Sequence, residues 1–438
     1  MSVLEEAVAP SPARRGGLTA WLERAPPALF CAFAGLAALS AYSAMYAFRK
    51  PIAAASFDHV AGWPFALDYK TALIIAQTLG YAFSKIVGVK LIAEFGQRRR
   101  GVAILGLIAA AWAALVLFAI LPAPWNVACL FLNGVPLGLI WGLVISYLEG
   151  RRTSEVLGAI LCASFVISSG VVKSIGRILL DHFQVTEFWM PAATGAVFFP
   201  LLIIAVMGLS AIPPPNEADK AQRSPRSPMD RTQRRNFVAG HWGALVPLVL
   251  AYVLLTAFRD FRDNFAAEIW RALGYRNVAA MFTGSELPVA VVTLAAVAAL
   301  IKVRDNLKAL MLVHGMIGFG AVLLAGSTIA QTMGLIDPLS WMILSGAGLY
   351  MAYVPYNAVL FDRMIAVTRE TGNVGFLIYL SDATGYAGSV GLMLLRDFAT
   401  LHADWLGFFR DAAYATAALC AVCAALSARH FLRNHRAA

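Results

Sequence analysis

Apolar and polar positions along this chain fall into long blocks. Apolar runs bounded by Gly, Pro and charged residues occupy 28–57, 71–93, 102–121, 126–148, 156–180 and 190–211, and then 242–265, 278–301, 309–333, 338–361, 374–395 and 408–428. Each run is long enough for a helix across a bilayer core, which takes about 20 apolar residues. The pattern predicts an all-α membrane protein of 12 transmembrane helices in two six-helix bundles. Residues 1–27 form a tail, 28–211 an N-terminal half, 212–241 a basic linker, 242–428 a C-terminal half and 429–438 a second tail. The stretch PPPNEADKAQRSPRSPMDRTQRRN (213–236) is rich in Pro, Ser and charge and has no core of its own. Residues 1–25 carry acidic and basic side chains without an apolar centre, so they read as a tail rather than a signal peptide.

The halves repeat. AYSAMYAFRK (41–50) returns as AYVLLTAFRD (251–260), LNG (132–134) as LSG (344–346), and GVVKSIGRILL (170–180) as GYAGSVGLMLL (385–395). The matches keep their order at offsets of about 210–215 residues, the mark of a duplicated six-span unit. Two pseudo-symmetric six-helix bundles joined by a long basic loop are the layout of the major facilitator fold, whose substrate sites lie between the halves near the midplane.

Composition and charge refine this reading. Of 438 residues, 60% are hydrophobic and 14% charged, and the mean hydropathy is +0.70. A water-soluble enzyme would be about 25% charged. The net charge of +10 arises from 35 Lys+Arg against 25 Asp+Glu. The larger share of the Lys and Arg falls on the two termini, the linker and the loops near 98, 151, 302–308 and 363–370. By the positive-inside rule these segments and both termini are expected in the cytoplasm, in an inner (cytoplasmic) membrane, and the charge says nothing of nucleic acid. Cys31, Cys129, Cys162, Cys420 and Cys423 lie in apolar stretches and read as small hydrophobes. The sequence holds no metal-ligand cluster, Walker loop, dinucleotide fingerprint or nucleophile elbow. Neither an enzyme nor a bound cofactor or metal is therefore expected.

Ionisable groups inside the spans carry the candidate chemistry, because each costs free energy unless it faces a cavity or a partner. Tyr42, Tyr46 and Arg49 share one helix face, and Tyr252 and Arg259 repeat the relation in the seventh span. The two arginines are expected to meet across a central cavity, where guanidinium forks hold phosphate or carboxylate. Apolar sequence after Arg49 (PIAAASF) predicts that its helix continues past it. Gln77, Tyr81 and Lys85 form a polar stripe, with Glu286 the first expected counter-charge of Lys85 and Asp382 the second. Asp382 reads as the neutraliser of a lysine, with a coupling proton the other reading. Lys173 is the deeper of the fifth-span cations, and RDFRDNF (259–265) suggests a local cluster of Arg262 with Asp260 and Asp263. Tyr350, Tyr353, Pro355, Tyr356 and Asn357 make the tenth span polar and broken, and Tyr353 aligns by repeat with Trp141. His314 reads as a satisfied core group.

These blocks resemble a known family. YAFRKP (46–51) is similar to the Tyr-x-x-Arg-Lys signature of the organophosphate:phosphate antiporters, the glycerol-3-phosphate and hexose-phosphate transporters of the major facilitator superfamily. GYAFSK (80–85) and GYAGSV (385–390) resemble its second- and eleventh-span blocks, and Glu286 precedes a Pro in the eighth. The resemblance implies that Arg49 and Arg259 bind substrate phosphate, that Lys85 and Glu286 pair or release as the anion binds, and that the halves rock. Phe165 stands where the family has a fifth-span histidine, and the second loop motif reads AEFGQRRR (93–100) with its acid displaced. The expectation is a monomeric secondary transporter of a small anionic, phosphorylated metabolite. Its substrate-binding residues are Arg49, Arg259, Lys85, Tyr42, Tyr46, Tyr81, Lys173 and Tyr353, and its ion-pair residues Glu286, Asp382 and Lys85. The alternatives are a transporter-like sensor of a phosphorylated metabolite and a transporter of an unrelated solute.

Overall fold

The computed structural model describes residues 17–94, 99–151, 153–215, 219, 231–368, 374–399 and 404–437. A short helix, α1 (Gly17–Arg24), leads into the first bundle: α2 (Pro27–Tyr46), α3 (Tyr69–Glu94), α4 (Arg100–Ile120), α5 (Asn126–Leu148), α6 (Ser154–Asp181) and α7 (Met190–Ser210). The second bundle begins with α8 (Arg231–Asn264), a short α9 (Ala266–Ala272), α10 (Val278–Ile301) and α11 (Asn306–Thr332). It ends with α12 (Pro338–Pro355), α13 (Phe361–Thr368), α14 (Val374–Ala399) and α15 (Trp405–Ala437). Among the described residues there is no strand, and nine helices are long and apolar enough to cross a membrane. Three more long helices, α3, α12 and α14, complete the twelve predicted spans.

The outer surface is apolar. Leu36, Val102, Ile204, Met207, Val291, Val322 and Val422 are all exposed, as side chains facing lipid would be. Local signals set the helix ends. The Asp337 carboxylate accepts the Leu339 and Ser340 amides at 2.9 and 3.1 Å and caps α12, with Pro338 in its first turn. Past Pro355 the chain widens into a π-turn at Tyr356–Leu360 before α13, so the tenth span is broken where the polar residues cluster. The first span departs from expectation: α2 stops at Tyr46 instead of running through Arg49. Pro51 has no N–H to give the Ala47 carbonyl and its ring would crowd that carbonyl in a continuing helix, and the chain tightens through Phe48 N–H to Met45 O and Arg49 N–H to Tyr46 O, each 3.0 Å. Arg49 is thus presented from a turn, followed by a 3₁₀ segment at Pro51–Ala54. At the other half the linker is helical from Arg231, and the backbone bends at His241 before the seventh span.

Successive long helices reverse direction, so both ends of the bundle emerge on one side, called here the terminal side. The turns at 47–68, 182–189 and 265–277 lie on the far side. The halves meet where α6 packs on α10 and α3 on α14.

Within the N-terminal half, α3 and α5 touch backbone to backbone through small residues. A Cβ on Gly80 would sit 2.1 Å from the Phe131 carbonyl oxygen, and one on Gly134 2.2 Å from that of Gln77. Such seams replace the hydrophobic drive that is missing between helices in lipid. Gly134→Val is therefore expected to cost at least about 1–3 kcal/mol, as overpacking does, and to lose the monodisperse species in detergent. Gly106→Val, where a Cβ meets nothing within 4 Å, should leave the thermal unfolding midpoint within about 1 °C, the shift that about 1 kcal/mol gives in a chain of this size.

Candidate functional site

Charged side chains inside the bundle collect between the halves. The last turns of α8, residues 259–264, are their hub. On the far side the Asp263 carboxylate takes Lys50 Nζ at 2.5 Å and Lys173 Nζ at 2.6 Å, and Ser169 donates to the same group. Lys50 also donates to Asn264 Oδ1 at 2.9 Å, and Lys173 to the Asp263 carbonyl at 3.1 Å. Lys70 joins Glu268 of α9 at 2.6 Å and the Ala53 carbonyl at 3.1 Å. Every one of these carboxylates belongs to the C-terminal half and every lysine to the N-terminal half. Lys50, Lys70, Lys173 and Asp263 are all buried.

Next to this bridge lie the two repeat-related arginines. The Arg49 guanidinium carbon sits 4.1 Å from the centre of the Tyr81 ring, and that of Arg259 4.3 Å from the Tyr353 ring. Both are half-buried. Arg259 donates to Asp260 Oδ1 at 2.8 and 3.2 Å, while Ser389 of α14 holds Asp260 Oδ2 at 2.8 Å. Asp260 is also within electrostatic range of Arg49 and Lys50, and the Tyr46 hydroxyl within range of both arginines. Among the described residues no carboxylate or carbonyl hydrogen-bonds the Arg49 guanidinium. The arginines therefore converge on one region, as the sequence suggests. The partners are not symmetric: Tyr353 underlies Arg259, but its repeat-mate Trp141 does not underlie Arg49.

Towards the terminal side a second bridge joins the halves. Lys85 Nζ pairs with Asp382 Oδ2 at 2.7 Å, Tyr252 donates to Asp382 Oδ1 at 2.6 Å, and the Tyr252 and Tyr353 hydroxyls are 3.2 Å apart. This corrects the expected order of partners. Glu286 is not the counter-charge of Lys85; it binds Arg262 at 2.5 Å, deep between α8 and α10. Arg262, Asp260 and Asp263 are likewise not a local cluster. Consecutive polar residues on one helix point to different neighbours, so each finds its partner on another helix or, for Asp260, on the adjacent Arg259. Lys173 is locked to Asp263 rather than open to a cavity. His314 is a satisfied core group, between the Leu310 carbonyl at 2.7 Å and Ser427 at 2.9 Å.

The rest of the N-terminal wall is aromatic. The Tyr42 ring meets Tyr46 at 5.6 Å, Trp141 at 5.0 Å and Phe165 at 6.0 Å, and Trp141 lies 4.9 Å from Phe165. Tyr42 and Tyr81 hydroxyls are 3.3 Å apart. Sequence reasoning missed Lys50, Asp260, Asp263, Arg262 and Asn264 as site residues. The signal was present: Lys50 follows Arg49, and RDFRDN sets four charges in the seventh span. Taken together, six cations (Arg49, Lys50, Lys85, Lys173, Arg259, Arg262) face four carboxylates (Asp260, Asp263, Glu286, Asp382).

Solved structures share this architecture. The chain aligns with a D-xylose-proton symporter at TM-score 0.62 and 13% identity, covering 91% of this chain and 96% of that one. It aligns with a bacterial homologue of the human lysosomal transporter Spinster, inward-facing and unoccupied, at 0.59 and 12%, covering 93% and 98%. It aligns with a peptide transporter POT in complex with sulfate at 0.58 and 15%, covering 92% and 95%. At these identities the likeness is one of fold, and the fold is that of the major facilitator transporters. No curated protein matches the sequence. The model of a family of unknown function, DUF5690, matches residues 51–434.

The far-side bridge yields a measurable expectation. Asp263→Asn leaves two buried ammonium groups around a neutral amide, and breaking a buried pair costs about 3–5 kcal/mol. Unfolding in mixed detergent micelles should show that loss, and Lys173→Met in the same background should recover part of it. A variant as stable as the wild type would mean that Lys50 and Lys173 do not depend on Asp263.

Proposed function

The chain belongs to the family of unknown function DUF5690, and we propose that it is a secondary transporter of a small anion, worked by alternating access. One observation carries this reading. Arg49 is half-buried between the halves, stacked on Tyr81, and has no carboxylate bound to it. A half-buried guanidinium with no carboxylate bound to it calls for a counter-charge. Lys50 and Lys173 share a single carboxylate, so the cluster is short of two negative charges. A phosphate monoester or another dianion makes up that deficit.

The anion bridges Arg49 of one half and Arg259 of the other, with the Tyr46 hydroxyl between them. Planar forks suit phosphate oxygens bidentately, and stacking on Tyr81 and Tyr353 fixes their orientation. Lys85 and Asp382 hold the terminal side of the seam, and the Asp263 group the far side. Alternating access requires one of these bridges to open while the other stays closed. Solved relatives of the same fold are named as symporters and transporters, which supports transport over sensing. The excess of Lys and Arg on the terminal side supports a cytoplasmic location for both ends.

Counterflow in proteoliposomes loaded with phosphate tests this. Wild type should exchange labelled phosphate or a phosphate monoester saturably. Arg49→Ala removes a charged hydrogen bond worth about 1.5–3 kcal/mol, so substrate affinity should fall about 10- to 100-fold. Arg49→Lys should recover little of it, since an ammonium neither forks nor stacks. Undiminished exchange by a folded Arg49→Ala protein would remove the clamp from the mechanism.

A further inference from the structure

The aromatic wall beside Arg49 bears on what the anion carries. Tyr46 and Tyr42 follow Arg49 back along α2, and Trp141 and Phe165 extend the wall from Tyr42. From Tyr46, three residues before Arg49, back to Tyr42 is four positions of α2, about 6 Å at 1.5 Å per residue, room for one ring beyond the anionic head. Phe165 lies one turn before Ser169 and two turns before Lys173, the side chains with which α6 reaches Asp263 of the other half. That spacing puts Phe165 on the helix face turned to the seam. Phe165 and Trp141 are only partly buried there.

This wall offers rings and few free hydrogen-bonding groups. The Tyr42 hydroxyl is taken by Tyr81, Ser43 by Ser168 at 2.6 Å, and Ser169 by Asp263. A polyol tail would lose its water here for little more than the Trp141 indole N–H and the one proton that the Tyr42–Tyr81 hydroxyl pair does not use, a poor exchange for several hydroxyls. The repeat supplies an independent observation. Arg259 covers the ring of Tyr353, whereas among the described residues no cation covers Trp141, its repeat-mate. The ring contacts of Trp141 are Tyr42, edge-on, and Phe165, tilted by 35°.

We propose that the anion held by Arg49 and Arg259 carries an aromatic ring, which packs against Trp141 and Phe165. The inference rests on the transport reading above and adds the substrate's second half. Binding to the purified full-length chain tests it with three probes: inorganic phosphate, phenyl phosphate and glycerol 3-phosphate. Phenyl phosphate should bind about tenfold more tightly than glycerol 3-phosphate, the scale of one aromatic contact. The ratio of phenyl phosphate to inorganic phosphate affinity should fall at least about fivefold, most of that contact, in Trp141→Ala and in the better-filled Trp141→Leu. Phe165→Leu provides the same readout from the other ring. Glycerol 3-phosphate binding as tightly as phenyl phosphate would overturn the proposal, as would an unchanged ratio in all three variants. If all probes bind equally and Arg49→Ala weakens each, the clamp stands and the ring assignment alone fails. If none binds, or Arg49→Ala weakens none, the clamp fails and takes the ring assignment with it.

Discussion

A carboxylate among apolar helices is tolerable beside a cation, and Asp263 has two. Lys50 reaches it from the turn after α2 and Lys173 from α6, so three segments and both halves are tied at one point. Desolvating such charges is costly, and the cost is met only while all of them are together. The position of α8 against the N-terminal half follows from this demand. So does the placement of Arg49 and Arg259, since each lies next to a member of the group in sequence or space.

Duplication supplied the frame but not the chemistry. The repeats place an arginine after Ala-Phe in the first and seventh spans, and both stack on a tyrosine. The tyrosines come from non-equivalent helices, α3 and α12, and the acids are almost all in the second half. Asp260, Asp263, Glu286 and Asp382 have no acidic repeat-mates among the N-terminal site residues. The result is a basic half facing an acidic one across the seam. That polarity gives the bundle its contact between halves, and it leaves Arg49, on the basic side, without an acid of its own.

The architecture was legible because lipid makes it so: apolar runs of span length and charged loops have few other readings. The arginines, Lys85 and Asp382 were legible because charges inside spans are few. What the linear pattern hid was direction. Arg262 and Asp263 are neighbours in sequence and point to different helices, so adjacency suggested a cluster that rotation about the helix axis dissolves. Lys85 chose Asp382 over Glu286 because α3 packs on α14, a pairing no periodicity encodes. The apolar stretch after Arg49 suggested helix, and the single Pro51 outweighed it.

That early stop of α2 gives the two arginines different mechanical characters. Arg259 stands within a long helix, where its backbone moves only as the whole rod moves. Arg49 stands on a tight turn between two helical segments, flanked by the buried Phe48 and Lys50, and Lys50 is held by Asp263 of the other half. One arginine is thus fixed by the rod it belongs to and the other by the bridge beside it. A movement that opened the Asp263 bridge would displace Arg49 directly, and Arg259 only with the whole of α8.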